Sequence, residues 1–307
     1  MKNVKTIQQI KPISSYSSVH PWFSLLFRFR TAKKGWKLIY TVLWDFFILQ
    51  TLQKFKITKR PVIFVDTDLD EKIPFDPSKV KTYINFIPYF LKPTVMLTKR
   101  MGYKNASSYL NEYIDFISKM YKNAATIYRF CMTTTNRPNY KVGKEFKTIH
   151  AADPHLLCVP SLHVTIAAGT YAWFKNFFKL NLFDKNETKF YENELLQEGI
   201  KITESVLFVK QHSVNCIPIA LYMLSSTMNK NFFSVHDADF FILSLFENAP
   251  EIQPEVKKEI QEYFKYMYER SFLEHIYENK WQDCIKNWLI EHARNTKQNP
   301  EVLEKRL

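Results

Sequence analysis

Glycine is scarce in this sequence, with 5 residues among 307. Glycine-rich nucleotide folds and turn-rich β-sandwiches use far more of it. Long side chains with good helix propensity are plentiful, and 46% of the residues are hydrophobic, which allows a sizeable core. These proportions favour an all-α protein.

Cysteine is also infrequent, and its four copies are Cys131, Cys158, Cys216 and Cys284. None belongs to a C-x-x-C pair. This pattern favours a reduced, intracellular set of thiols over a disulfide framework or a zinc site.

Uninterrupted apolar runs of the roughly 20 residues needed to cross a bilayer are missing. Residues 36–52, 83–97, 156–178 and 206–224 come closest, and charged, polar or proline residues interrupt each stretch. They are either buried core helices of a soluble or peripheral protein, or spans of a multi-pass protein whose charges face an internal site. Residues 1–18 lack an apolar segment behind their charges, so we expect no cleaved signal peptide.

The charge is strongly positive, at +13, with a pI near 9.3. It favours anionic partners, namely phosphate esters, acidic lipid headgroups or nucleic acid, although a solvated lysine-rich surface explains it equally well. With 26 Phe, 17 Tyr and 6 Trp, the chain is rich in aromatic residues. We expect association with an anionic membrane surface, peripheral or multi-pass, with a cytoplasmic protein as the alternative.

Three segments are predicted, namely a basic N-terminal segment (1–35), a helical core (36–230) and a helical C-terminal extension (231–307). Core helices are predicted at 36–56, 79–98, 105–130, 160–178, 188–200 and 202–226. The acidic, proline-bounded stretch 61–77 and the segment 133–147 are predicted to be loops. In the extension, Phe264, Tyr268, Phe272 and Ile276 recur every four residues and predict an amphipathic helix.

Two short motifs suit the binding of a phosphate. Arg137, followed by Pro138, offers a guanidinium fork that matches phosphate oxygens. Ser161 stands at a predicted helix start, where unpaired backbone N–H groups bind anions, and His163 follows two residues later. Without a role in phosphate binding, Arg137 would be an ordinary loop arginine and His163 a histidine buried in the core.

A third motif, Lys210-Gln211-His212, interrupts a segment that is otherwise apolar. Burying these side chains without a purpose is costly. On a regular helix, His212 would share one face with Ser205 and Cys216, while Lys210 would point elsewhere.

The three motifs, in this order, resemble the signature of the type 2 phosphatidic acid phosphatase superfamily, which includes lipid phosphatases and vanadium haloperoxidases. That signature reads Lys-x6-Arg-Pro, then Pro-Ser-x-His, then Ser-Arg-x5-His-x3-Asp. The matching residues are Arg137-Pro138, Pro160-Ser161-Leu162-His163, and Ser205 with His212.

The resemblance implies a helical bundle of the phosphatase/haloperoxidase type and a phosphomonoester substrate, expected to be lipid-linked. His212 would form a phosphohistidine, and His163 would protonate the leaving oxygen. Arg137, Ser161 and Lys210 would bind the phosphate. We expect neither a cofactor nor a metal.

The chain departs from the signature at three positions. Phe130 replaces the lysine, with Arg129 beside it, and Val206 replaces the arginine. Cys216 occupies the position of the aspartate that orients the nucleophile in the family, and a thiol is a poor acceptor.

These departures leave alternatives open. The chain could be a phospholipid or sphingolipid headgroup phosphotransferase, a non-catalytic phosphate- or lipid-binding relative, or a nucleic-acid-binding helical protein. No recognised nucleic-acid-binding module is present, so we do not expect a nucleic-acid partner. The cluster from His236 to Asp239 is interpreted as a helix N-terminal cap and not as a metal site.

Overall fold

The computed structural model describes residues 10–138, 153–180, 183–229 and 231–307, together with residues 143, 146 and 149. This part of the protein is predominantly helical, as predicted. Its helices are α1 (His20–Leu26), α2 (Phe29–Val42), a π-helical segment (Leu43–Ile48), α3 (Leu49–Lys54), α4 (Asp68–Glu71), α5 (Val80–Ile84), α6 (Phe86–Met101), α7 (Tyr103–Phe130), α8 (Leu162–Leu180), α9 (Lys185–Phe208), α10 (Cys216–Thr227), α11 (Val235–Ser244), α12 (Pro254–His275), α13 (Trp281–Asn295) and α14 (Glu301–Glu304).

Helix α8 occupies the centre of the bundle and packs against α6, α7, α9 and α10. Most of its residues are buried, so it shows no polar face. At Gly169 a Cβ atom would lie 2.5 Å from the Phe116 ring, which lets α7 and α8 approach closely. The Tyr89 hydroxyl is 3.0 Å from the carbonyls of Ala167 and Leu195 and ties α6 to α8 and α9.

Two short strands bring distant segments of the chain together. Strand β1 (Val62–Phe64) pairs in parallel with β2 (Met132–Thr134), with Ile63 opposite Thr133. Thr133 also bridges to Leu157. As a result, the segments that precede Arg137 and Ser161 lie side by side.

The structure corrects the predicted bounds of one helix and two loops. The helix predicted over 36–56 begins at Phe29 and continues through the π-helical segment to Lys54, so the basic N-terminal segment is partly helical. The predicted loop 61–77 contains β1 and α4, because Ile63 and Ile73 are buried in the core. The predicted loop 133–147 begins with β2 and extends beyond the described residues.

The helix predicted over 202–226 is also wrong. Helix α9 continues to Phe208 and α10 begins at Cys216, so His212 lies in a turn and not on a helix face shared with Ser205. The turn buries its polar residues against other parts of the chain, which local sequence periodicity cannot reveal.

The C-terminal extension is helical, as predicted. Phe264 and Tyr268 are fully buried, whereas Ile276 at the end of the pattern is 73% exposed. One cluster of buried apolar residues runs from Ile13 to Leu303 and so includes parts of all three predicted segments. Within the described residues, no helix combines the length and apolar character that a bilayer crossing requires.

Candidate active site

The turn between α9 and α10 carries the third motif. Lys210 adopts a left-handed backbone conformation, with φ of 53°. Its N–H donates to the Leu207 carbonyl at 3.1 Å, and that of Gln211 donates to the Val206 carbonyl at 3.0 Å. This is the Schellman arrangement, in which glycine is the usual left-handed residue. Lys210 is therefore held in a strained backbone conformation, and such strain is enriched at functional sites.

Both ring nitrogens of His212 have a neighbour. Nδ1 lies 3.1 Å from the carbonyl oxygen of Cys158, and Nε2 lies 3.4 Å from the Ser161 hydroxyl oxygen. Because a carbonyl oxygen can only accept, Nδ1 carries the ring proton and Nε2 keeps its lone pair. This is the tautomer that a nucleophilic imidazole needs.

Ser161 immediately precedes α8. Its hydroxyl accepts a long hydrogen bond of 3.4 Å from the N–H of Val164, and its carbonyl accepts two from Thr165, at 3.0 and 2.9 Å. The first-turn N–H groups of a helix have no partner within the helix and attract anions. The second motif therefore brings a helix N-terminus of this kind next to Nε2 of His212.

His163 lies between aromatic rings. Its ring centroid is 4.5 Å from that of Tyr83, 4.4 Å from that of Phe86 and 5.5 Å from that of His212. Burial, and then the neighbouring His212, lower the pKa of His163 well below its usual value. His163 is therefore neutral, and an adjacent phosphate dianion would raise its pKa.

Burial also lowers the pKa of His212, to about 4. The hydrogen bond to the Cys158 carbonyl opposes this shift, and the positive charge of Arg137 adds to it. The ring is therefore neutral, and able to act as a nucleophile, across the physiological pH range.

Arg137 and Lys210 line an open cavity of about 630 Å³ that His212 also lines. Arg137 donates from Nη2 to the side-chain oxygen of Gln211 at 2.6 Å. Lys210 donates from Nζ to two backbone carbonyls, at 2.5 and 2.6 Å. Burial lowers the pKa of Lys210, and the negative charge of Asp70 opposes that shift. The fold therefore brings both predicted cations to the cavity beside His212.

Asp70 anchors this turn, and sequence reasoning missed it. Its carboxylate accepts hydrogen bonds from the Ser213 hydroxyl at 2.7 Å and from the Val214 N–H at 2.8 Å. It also forms the capping box of α4 with Thr67. Burial raises the pKa of Asp70 to about 6, against the effect of the Ser213 hydrogen bond. The Thr-x-x-Asp spacing of residues 67–70 was the available signal, because it is typical of a helix start.

Two further residues hold the turn in place. His155 Nε2 lies 2.7 Å from the carbonyl oxygen of Gln211 and donates to it in the matching tautomer. Asn215 donates to the Val65 carbonyl at 2.9 Å and accepts from the Tyr263 hydroxyl. Since Tyr263 belongs to α12, the C-terminal extension contributes directly to the shape of the site.

Other residues of the three motifs have structural contacts. Arg129 forms an ion pair with Asp45 of the π-helical segment. The Ser205 hydroxyl donates to a carbonyl of its own helix, that of Ile202, at 2.7 Å. Cys216 is the first residue of α10, and the carbonyl of Cys158 supplies the hydrogen bond that orients His212.

The cluster from His236 to Asp239 lies in the first turns of α11, and its Asp237 takes part in the predicted N-terminal cap. Asp237 and Ser234 form a capping box at the start of α11. Among the described residues, no group of three His, Cys, Asp or Glu side chains is arranged to hold a metal ion.

An apolar groove lies on the far side of the histidine pair. A narrow pocket of about 10 Å³ is lined by both His212 and His163. His163 and Phe46 also line the adjoining groove of about 340 Å³, whose other walls come mainly from α2, the π-helical segment, α5 and α6. The two histidines therefore stand between a polar cavity and an apolar groove.

A comparison of the chain with protein-family models gives no match, and comparisons with curated proteins and with solved structures give none either.

Proposed function

We propose that the protein is a phosphatase that hydrolyses a phosphomonoester, expected to be lipid-linked, through a phosphohistidine at His212. The observation that carries this proposal is the fixed neutral His212, whose Nε2 faces Ser161 between the polar cavity and the apolar groove. The motif resemblance agrees with this geometry and predicts the same nucleophile.

In the proposed reaction, Nε2 of His212 attacks phosphorus and the bond from phosphorus to the alcohol oxygen breaks. The alcohol takes a proton from His163, whose pKa the bound phosphate raises. Water then gives a proton to His163 and attacks phosphorus, which breaks the N–P bond and releases inorganic phosphate. Nδ1–H stays bonded to the Cys158 carbonyl, which stabilises the positive charge that develops on the ring.

Negative charge on the transferred phosphoryl group would be held by Arg137, Lys210 and the N-terminus of α8 at Ser161. Arg137 and Lys210 already have fixed orientations, so little reorganisation is needed as the charge shifts. A lipid-linked substrate suits the groove, because its apolar part could lie there while its phosphate meets His212.

Phosphoenzyme trapping tests the proposal directly. Purified wild-type protein would be quenched in base during turnover of ³²P-labelled phosphatidic acid or of para-nitrophenyl phosphate. We expect a label that is stable to base and labile to acid, and that is lost in His212→Gln. His236→Gln, at an exposed histidine outside the site, is the matched control. A base-stable label retained in His212→Gln would contradict the proposal, and absence of turnover would favour the non-catalytic alternative.

A second candidate is the transfer of a phosphorylated headgroup. Asp66, Asp68 and Glu71 line the same cavity as Arg137, so the cavity presents carboxylates next to a cation. This arrangement is complementary to a phosphodiester whose headgroup carries a positive charge. A phosphocholine or phosphoethanolamine lipid, offered with an alcohol acceptor, would then give an exchanged lipid and no inorganic phosphate.

A further inference from the structure

One side of the N-terminal helices exposes a row of large aromatic side chains. We define the aromatic face as Phe29, Trp36, Tyr40, Trp44 and Phe47, which are 98%, 52%, 64%, 51% and 40% exposed. Their spacing of seven, four, four and three residues places them along one side of a helix. The row is about 27 Å long at 1.5 Å per residue.

Helix α1 extends this face sideways. The Phe27 ring centroid lies 5.9 Å from that of Phe23 and 6.2 Å from that of Trp36, and both phenylalanines are more than half exposed. The exposed aromatic surface is therefore continuous over two helices, larger than the single apolar residues scattered on ordinary protein surfaces.

Cations predominate in the segment that carries the aromatic face. The described residues 10–60 contain ten lysines and arginines and one acidic residue, Asp45. Asp45 is buried and paired with Arg129, so it adds little negative charge to this surface. Exposed Lys33 and Lys37 lie on α2 between Phe29 and Tyr40. Asp115 of α7 forms an ion pair with Lys34 at 2.5 Å and lies 3.8 Å from Lys37, so it offsets part of the positive charge of α2.

The aromatic face leads to the mouth of the apolar groove. Phe47 belongs to both, and Ile84 and Ile87, which are 44% and 50% exposed, line the same groove. At its inner end the groove reaches His163. An apolar path therefore runs from the aromatic face to the histidine pair.

We propose that the aromatic face docks on the surface of an anionic lipid bilayer, with the groove mouth directed at the membrane. Aromatic rings partition to the interface between lipid headgroups and acyl chains, and flanking lysines bind anionic headgroups. The use of the groove to admit a lipid phosphate rests on the proposed function, whereas docking itself does not.

A bilayer suits this surface better than a second copy of the chain. Two copies meeting through the aromatic face would bring their lysines and arginines together, and like charges repel. An anionic bilayer offers the opposite charge and an apolar layer at the depth that the rings would reach.

Vesicle flotation tests the proposal with the full-length chain. The vesicles would be pure phosphatidylcholine, or phosphatidylcholine with phosphatidylserine. We expect binding to the anionic vesicles that weakens as salt is raised. The combined variant Phe29→Ser, Tyr40→Ser, Trp44→Ser should lower the partition coefficient at least about tenfold. Replacing Lys33 by Gln should lower it about fivefold. Replacing Lys37, which lies 3.8 Å from Asp115, should lower it less.

The matched control carries Tyr266→Ser and Leu273→Ser on α12 and Tyr277→Ser in the turn after it, at residues that are 58%, 63% and 89% exposed. It should bind vesicles like the wild type. Equal loss in this control, or failure of the wild type to bind anionic vesicles, would overturn the proposal. So would light scattering showing that the aromatic variants separate a dimer while vesicle binding is unchanged, because a second copy would then cover the face.

Different results would contradict the proposed phosphatase function and the proposed membrane docking. His212→Gln should bind vesicles normally, and the aromatic-face variant should hydrolyse soluble para-nitrophenyl phosphate at the wild-type rate. Vesicle binding without turnover of any phosphate ester would refute the proposed function and leave docking intact. Turnover without vesicle binding would refute docking alone.

Discussion

His212 and His163 occupy two contrasting regions of one site. The region around His212 is polar, and its turn is held by hydrogen bonds that Asp70 accepts and that His155 and Tyr263 donate. The region around His163 is apolar, and aromatic rings hold the imidazole by stacking. Similar residues, both with a lowered pKa, are therefore positioned by different physical means.

The contrast suits the different tasks that we propose for the two histidines. Hydrogen bonds fix a tautomer and the direction of a lone pair, which suits a nucleophile. Stacking in an apolar environment leaves the ring nitrogens less constrained and favours the neutral form. Such a ring can gain a proton when a dianion arrives and then lose it to a leaving group.

The largest expected effect comes from exchanging each histidine separately. His212→Gln, which keeps a donor for the Cys158 carbonyl, should lower kcat for phosphate release at least about 10⁴-fold because the nucleophile is lost. His163→Phe, which keeps the stacking, should cost about 10²–10⁴-fold with an alkyl phosphate. With para-nitrophenyl phosphate the second loss should be smaller, because that leaving group needs little protonation. If His163→Phe lowered kcat equally with both substrates, the separate role of His163 in protonating the leaving group would be contradicted.

The next effect concerns the hydrogen bonds on the polar side. Asp70→Ala leaves the buried Ser213 hydroxyl and Val214 N–H without their acceptor, and should lower the free energy of unfolding by about 2–4 kcal/mol. Asp68→Ala, at an exposed carboxylate of the same short helix, is the control and should change it by less than about 0.5 kcal/mol. Urea unfolding measures both, and equal values would show that the turn does not depend on Asp70.

The pH dependence of stability tests the burial of His212. Its pKa is about 4 in the folded protein against 6.5 in the unfolded chain. The unfolded state therefore binds more protons between these values, and the contribution of His212 to stability is lost as the pH falls from 6.5 through 4. The loss is about 3 kcal/mol, at about 1.4 kcal/mol for each pKa unit.

His212→Gln should lack this contribution, which unfolding curves recorded at a series of pH values would show. Histidine NMR of the wild type gives an independent measurement. A His212 titration midpoint near 6.5 would mean that water reaches the ring and that the polar region is open to solvent.

The smallest effect is expected on the apolar side. Ile87→Asp places a charge at the groove and should lower kcat/KM for a long-chain phosphate about tenfold relative to a short-chain one, because a few methylene contacts are lost. Leu273→Asp, at an exposed leucine outside the groove, is the control. An unchanged chain-length preference would mean that the groove does not receive the substrate.

The helical character of the fold could be inferred from the sequence, and so could a set of candidate site residues that the structure brings together. Scarce glycine and four-residue periodicity predicted helices, and the motif pattern singled out Arg137, Ser161 and His212, which lie close to one another in the structure. The turn around His212 could not be inferred. Its residues read as part of an apolar helix, and the left-handed Lys210 lacks the glycine that would have indicated a helix end.

Asp70 and Tyr263 illustrate the same limit. Each contacts the 209–215 turn from a segment far away in the sequence, and each looked like an ordinary residue of an acidic loop or of a helical extension. The orienting partner of His212 is a backbone carbonyl, that of Cys158, so no side chain in the sequence could have identified it.

By itself, the sequence determined the helical class, the strong positive charge and the candidate residues for the proposed phosphate chemistry, because propensity, charge and side-chain chemistry are properties of local residues. Tertiary structure alone decided which nitrogen of His212 keeps its lone pair and which residues hold the turn around it. It also decided that an apolar groove joins His163 to an exposed aromatic face. These features depend on contacts between segments as much as 144 residues apart, and burial and hydrogen bonding across such separations are settled only when the chain packs.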